Sequence, residues 1–212
     1  MQPATAEDEG ASRTRSLAGR VAHGLAALLT IVAVAWSLDV PRQVGWAFYP
    51  QQFFSAMLAL ALAIAFLTLP ARSGAPRRAV PWYDAVAALL GFVAAGYIAV
   101  RYPDLVNSIF LRPAAAYVPG VIVALLALEA LRRATGWALV VIVACAILYA
   151  MFGDMLPGRL AGRAQDWQKL AAYFAFDVNG ILGIPIAVAA TVVVSFIFFG
   201  HLLSATGGSN FF

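Results

Sequence analysis

The chain has 212 residues, 63% of them hydrophobic and only 11% charged, with a net charge of +4 and a mean hydropathy of +0.85. Soluble domains carry roughly 25% charged residues, so one aqueous core cannot hold this much apolar surface, and the composition calls for a bilayer as solvent. A pI near 9.6 would point to nucleic acid in a soluble protein; here the basic residues fall between apolar runs, as membrane orientation requires, and no nucleic-acid partner is expected.

Residues 1–18 are polar and rich in small side chains, and read as a disordered cytoplasmic tail. The first apolar run covers 21–38. Ala33-Val34-Ala35 resembles a signal-peptide cleavage site, but the run exceeds a signal core of about 7–15 residues and further apolar runs follow, which favours an uncleaved helix. The second run is 53–69, with Trp46 and Tyr49 just before it, where interfacial aromatics belong. Pro70, Pro76 and Pro81 bound the basic loop that follows.

The third run is 82–100. Ala87, Gly91, Ala95 and Ala99 recur every four residues on one face. Apolar burial gives helices in lipid no drive to associate, so close approach through small residues is what packs them, and this face is expected to touch another helix. Asp84 stands at the helix start, where a carboxylate suits the dipole. The stretch 101–117 mixes apolar residues with Arg101, Asp104 and Arg112, and reads as a segment lying on the membrane surface.

The fourth run, 114–131, ends in Glu129, Arg132 and Arg133. Glu129 and Arg133 form an i,i+4 pair of the favourable order, so the carboxylate reads as an ion pair at a helix end rather than a transport group. Only residues 132–136 separate this run from the fifth, 137–153, which forces an antiparallel helical hairpin. Lone Cys145 lies inside that run, which excludes a disulfide or a cysteine metal cluster within the chain. Residues 166–176 read as a short amphipathic helix along the interface. The sixth run, 181–203, carries a second small stripe at Gly183, Ala187, Thr191 and Ser195, most simply a packing face.

The fold class expected is therefore all-α: a polytopic helical membrane protein of about six transmembrane helices. Arg13, Arg15, Arg20, Arg72, Arg77, Arg78, Arg132 and Arg133 fall on one side of the membrane, against Arg42, Arg101 and Arg112 on the other. Arg159, Arg163 and Lys169 sit in the longest connection, which weighs less in the positive-inside rule, so the N-terminus is expected to be cytoplasmic. No phosphate-binding loop, metal-ligand cluster or nucleophile elbow is present in the sequence. His23 and His201 lie near span ends, and no span has the polar lining of a pore. Neither an intramembrane enzyme nor a channel fits, and no metal site is expected.

A resemblance goes further. Tyr149, Ala150 and Gly153 end an apolar helix; Pro157-Gly158 follows. Then come Gly180-Ile181, Gly183-Ile184-Pro185, Ala190-Thr191, Phe196-Ile197, Phe199-Gly200, and Gly207-Gly208 with Phe211-Phe212. In this order they resemble the junction region of fused TRAP transporter permeases, most closely the type served by TAXI-family binding proteins, over about 137–212. After the tail at 1–18, the resemblance implies a four-helix scaffold region like the family's small subunit at 19–135 and the start of the large transport subunit at 136–212.

It further implies a secondary transporter of the bacterial inner membrane that takes up organic acids of the dicarboxylate and keto-acid class. Sodium would be the coupling ion, and no other cofactor is implied. The implied partners are a periplasmic substrate-binding protein, the remainder of the large transport subunit, and membrane lipids. The family's later motifs, which carry its substrate and sodium sites, are not in this sequence, so the resemblance implies a portion of a longer permease. Thr191, Ser195 and Asn210 are the polar groups singled out near a substrate or ion site. The alternative reading is a complete six-helix structural or assembly membrane protein without transport activity.

Overall fold

The computed structural model describes residues 6–71, 80–108, 114–155, 157 and 162–208. Among these residues the architecture is helical, without a strand: α1 (Ala6–Ser37), α2 (Val40–Gln43), α3 (Pro50–Thr68), α4 (Trp82–Ser108), α5 (Ala114–Thr135), α6 (Trp137–Phe152), α7 (Trp167–Phe176), α8 (Ile184–Val188) and α9 (Val194–Ala205). A five-residue π-turn, Ala189–Val193, makes α8 and α9 one continuous rod. Six helices are long and apolar enough to cross a membrane, at Leu17–Ser37, Pro50–Thr68, Trp82–Asn107, Ala114–Thr135, Trp137–Met155 and Ile184–Ala205. About 20 apolar residues span the hydrocarbon core, so this is a polytopic helical membrane protein.

α3 is the central helix, packed on α4 along one side and on α1 along the other. α5 packs against α4 and α7, and the α8–α9 rod leans on α1. The α3–α4 pairing is antiparallel, since Gln52, Ser55 and Leu62 of α3 meet Ala99, Ala95 and Gly91 of α4 in turn. Ala95 is fully buried, and a methyl placed on Gly91 would come within 3.2 Å of Leu62 Cβ. Ala87 is half-buried beside Leu62, Phe66 and Ala88. Small side chains let the two backbones approach closely enough for Ser55 Oγ to donate to the Ala95 carbonyl at 2.7 Å in a fully buried position. In lipid such bonds contribute about 0.6–2 kcal/mol each, a large share where apolar burial gives little.

Three segments differ from the sequence reading. α1 begins at Ala6, inside the stretch 1–18 that was expected to be a disordered tail. Ala6, Glu7, Glu9 and Ala11 are good helix formers, and extending a helix already nucleated by an apolar span costs little.

The stretch 101–117 is not a surface segment in its described part. α4 runs on to Ser108, with Tyr102 and Leu105 buried, and α5 starts at Ala114. Pro103 lies inside this helix and cannot donate to the Ala99 carbonyl four residues back. The structure fills that gap from another helix: Gln52 Nε2 donates to the Ala99 carbonyl at 2.9 Å.

α7, finally, does not lie along the interface. Trp167 stands edge-on to Tyr117 in the first turn of α5. One and two turns later, Ala171 and Ala175 close on Gly120, where an added methyl would meet the Ala171 carbonyl at 2.8 Å. Phe174 lines one apolar cavity of about 280 Å³ with Ala124, Leu128 and Leu131 of α5. The helix thus descends along α5 into the bundle, and Leu182 in the turn after it is buried in one cluster with Ala59, Ala95, Ile98 and Val123, which lie in the middle of their helices. Non-helical backbone at that depth is tolerated only where protein covers it. Here the covering is local: Ile181 donates to the Phe174 carbonyl at 3.0 Å, Gly180 to the Asp177 carbonyl at 2.9 Å, and Tyr102 Oη to the Phe176 carbonyl at 3.2 Å.

Candidate functional site

Call the end of the bundle where α1 begins the lower end; α3 and α5 finish there, and α4 and α6 start there. Its centre is a charged clasp. Arg133 meets Asp84 at 2.8 Å, with side chains 4% and 1% exposed. Arg133 Nε also donates to Glu129 Oε1 at 2.8 Å, and its Nη1 to the Leu69 carbonyl at 3.2 Å. Arg132 grips Glu129 through two bonds of 2.7 Å and reaches the Ala71 carbonyl at 3.1 Å. Both guanidinium groups lie over rings, Arg133 over Phe66 at 4.8 Å and Arg132 over Trp137 at 5.3 Å. The arginines satisfy carbonyls at and just beyond the end of α3, whose last four carbonyls have no partner within the helix. One cluster therefore ties α3, α4, α5 and α6 together. The Glu129–Arg133 pair was legible from its spacing; Asp84, 49 positions from Arg133 in number, was not.

The upper end holds two of the polar residues singled out for a site. Thr191 and Ser195 come together there with Ser37, the last residue of α1. Ser37 Oγ and Ser195 Oγ are 3.1 Å apart, and Ser37 Oγ donates to the Thr191 carbonyl at 3.4 Å. The Thr191 hydroxyl itself returns to the Ala187 carbonyl at 2.7 Å. These contacts fall at the π-turn, where a helix commonly carries function because the extra residue perturbs its carbonyl ladder. Ala190 is buried there in a cluster with Ala33, Phe53 and Met57. Ser37 is the member that sequence reasoning missed, because a serine at a helix end reads as an interfacial residue.

Of the other residues singled out in this rod, Ala187 is half-buried as the acceptor for Thr191. Gly183 is buried in the turn rather than on a helix face, and a methyl on it would meet the Val178 carbonyl at 2.4 Å. Asn210 lies outside the described residues. His23 bonds the Gly19 carbonyl of its own helix at 2.7 Å, and among the described residues no three His, Cys, Asp or Glu side chains group as metal ligands would.

α6 and α9 contain no buried residue, so their apolar faces are open to lipid or to other protein. The arrangement is a tightly fastened α3–α4–α5 block with two loosely covered apolar helices beyond it. Residues 122–212 match the family model described as "Tripartite ATP-independent periplasmic transporter, DctM component". Over those residues, rather less than half of the chain, the protein is similar to a component of that transporter. The match opens within α5, upstream of residue 136. No curated protein and no solved structure matches the chain significantly.

Proposed function

We propose that this protein is a membrane permease component of a tripartite, binding-protein-dependent secondary transporter. It takes up organic acids of the dicarboxylate or keto-acid class, driven by sodium. The observation that carries the reading is the DctM match over 122–212 on helices that can cross a membrane. In this reading residues 19–135 form the scaffold, with the lower-end clasp as its fastening, and residues 136–212 begin the transport subunit. The α8–α9 rod leans on the scaffold at Ser37, Thr191 and Ser195. The chain acts in a bacterial inner membrane with a periplasmic binding protein and the remainder of the large permease subunit, and its N-terminus is cytoplasmic. Its role is transport rather than catalysis.

The test is uptake into proteoliposomes holding the chain together with the rest of the permease, with the cognate binding protein outside. Radiolabelled C4-dicarboxylates and keto acids are expected to accumulate only when an inward sodium gradient and the binding protein are both present. Accumulation that ignores sodium would overturn the coupling, and accumulation without the binding protein would overturn the tripartite reading.

A further inference from the structure

Two cavities at the upper end join into one amphipathic cleft. The outer, of about 520 Å³, is lined by Trp36, Asp39, Arg42, Trp46 and Phe48 among others. The inner, of about 500 Å³, continues between α1, α3 and α4 along Ala35, Phe53, Ala56 and Val100. Trp36, Pro41 and Phe48 line both. Two features give the outer part its character. Asp39 Oδ2 and Arg42 Nη1 are 3.7 Å apart with side chains 64% and 85% exposed, a loose pair of opposite charges. Asp39 also sits at φ 55°, the one non-glycine residue with positive φ among those described, which holds its carboxylate at the mouth at some conformational cost. Both groups follow directly on a membrane span that ends at Ser37, so they stand at headgroup depth.

We infer that this cleft binds a zwitterionic phospholipid, with the phosphate on Arg42, the headgroup ammonium on Asp39 and one acyl chain in the groove between α1, α3 and α4. Charge complementarity selects this occupant. A mouth with one cation and one anion a few ångströms apart matches a headgroup carrying one of each. An anionic headgroup without the ammonium would leave Asp39 facing a like charge. The exposed Asp39–Arg42 pair contributes little by itself, so a headgroup can insert between the two at small cost. Trp36, stacked on Phe53 with ring centroids 4.2 Å apart, and Trp46 wall the mouth at the depth that amphipathic rings favour, and they offer faces to the ammonium.

The purified chain, delipidated in detergent, is titrated with phosphatidylethanolamine or phosphatidylglycerol and examined by native mass spectrometry. One phosphatidylethanolamine is expected to be retained at least tenfold more strongly than phosphatidylglycerol. Asp39→Asn removes the charge while keeping a residue that tolerates positive φ, and is expected to erase that preference without weakening phosphatidylglycerol. Ala56→Leu, which fills the groove, is expected to abolish retention of both lipids. Circular dichroism and size-exclusion elution identify any variant that fails to fold. Equal retention of the two lipids by the unaltered protein would overturn the proposal, as would a preference that survives Asp39→Asn or retention that survives Ala56→Leu in folded variants.

Discussion

Arg133 meets a carboxylate from each of two helices and a carbonyl at the end of a third. Its partner Asp84 is almost completely removed from solvent. The value of such a pair lies in the cost of breaking it, because one charge left alone in an apolar setting has nothing to replace its partner. Arg133→Ala is expected to lower stability by about 3–5 kcal/mol, read as the shift in reversible unfolding by sodium dodecyl sulfate in mixed micelles. Asp84→Leu combined with Arg133→Leu should recover a large part of that loss, since a well-packed apolar pair avoids the desolvation of both ions. Losses that simply add in the double variant would show that the two residues act independently. Arg42→Ala serves as the contrast: its pair with Asp39 is exposed, and the expected change is under about 1 kcal/mol.

Gln52 does two jobs on one side chain, and both concern helix continuity. Its Oε1 accepts from the Tyr49 backbone N–H at 3.1 Å at the start of α3, and its Nε2 caps the Ala99 carbonyl left free by Pro103 in α4. Gln52→Leu is expected to cost about 1 kcal/mol by leaving a partly buried carbonyl unmet. Pro103→Ala restores a backbone N–H at that position, so adding it to Gln52→Leu should recover part of the loss; no recovery in the same unfolding assay would refute the pairing.

The α5–α6 reversal depends on a single residue. Gly136 has φ 87° and ψ −169°, a region open essentially to glycine alone. Gly136→Ala is expected to cost about 1–3 kcal/mol and to loosen the hairpin, seen as faster hydrogen exchange around 133–140. The descent of α7 rests on Gly120 in the same way. With the Ala171 carbonyl 2.8 Å and Ala175 Cβ 2.9 Å from where a methyl would sit, Gly120→Val should push α7 off α5. Protease cleavage within 163–183 should then rise several-fold while the rest of the chain stays protected. Unchanged cleavage would mean that α7 is held by something other than this close approach.

For the molecule as a whole, the arrangement divides into a fastened block and a loosely covered rim. α3, α4 and α5 share the buried clusters and the charged clasp, whereas α6 and α9 bury nothing. In the proposed orientation the clasp faces the cytoplasm and the α1–α3 connection faces the periplasm. In a Cys145→Ser background, a cysteine at Gln43 should react with a membrane-impermeant maleimide added to intact cells. A cysteine at Ala134 should react only after the membrane is permeabilised. The reverse pattern would invert the topology and with it the proposed docking side of the binding protein.

The sequence by itself determined the spans. Each is a local property, an apolar run long enough for the hydrocarbon core, and five of the six helices begin and end within a few residues of where hydropathy places them. It also determined the Glu129–Arg133 pair, because four residues make one helical turn, and the resemblance carried by 137–212, because short motifs survive as text. Tertiary structure alone decided what joins residues far apart in number: Asp84 to Arg133, Gln52 to the Ala99 carbonyl, Ser37 to Ser195, and α7 to Gly120. None of these has a periodic signature. Pro103 shows the reason most directly. Locally it ends a helix, since its backbone lacks the N–H, and the helix continues only because a side chain 51 positions earlier supplies the missing donor. Backbone polar groups in a bilayer must be satisfied by protein, and which part of the protein satisfies them is settled only when the helices have packed.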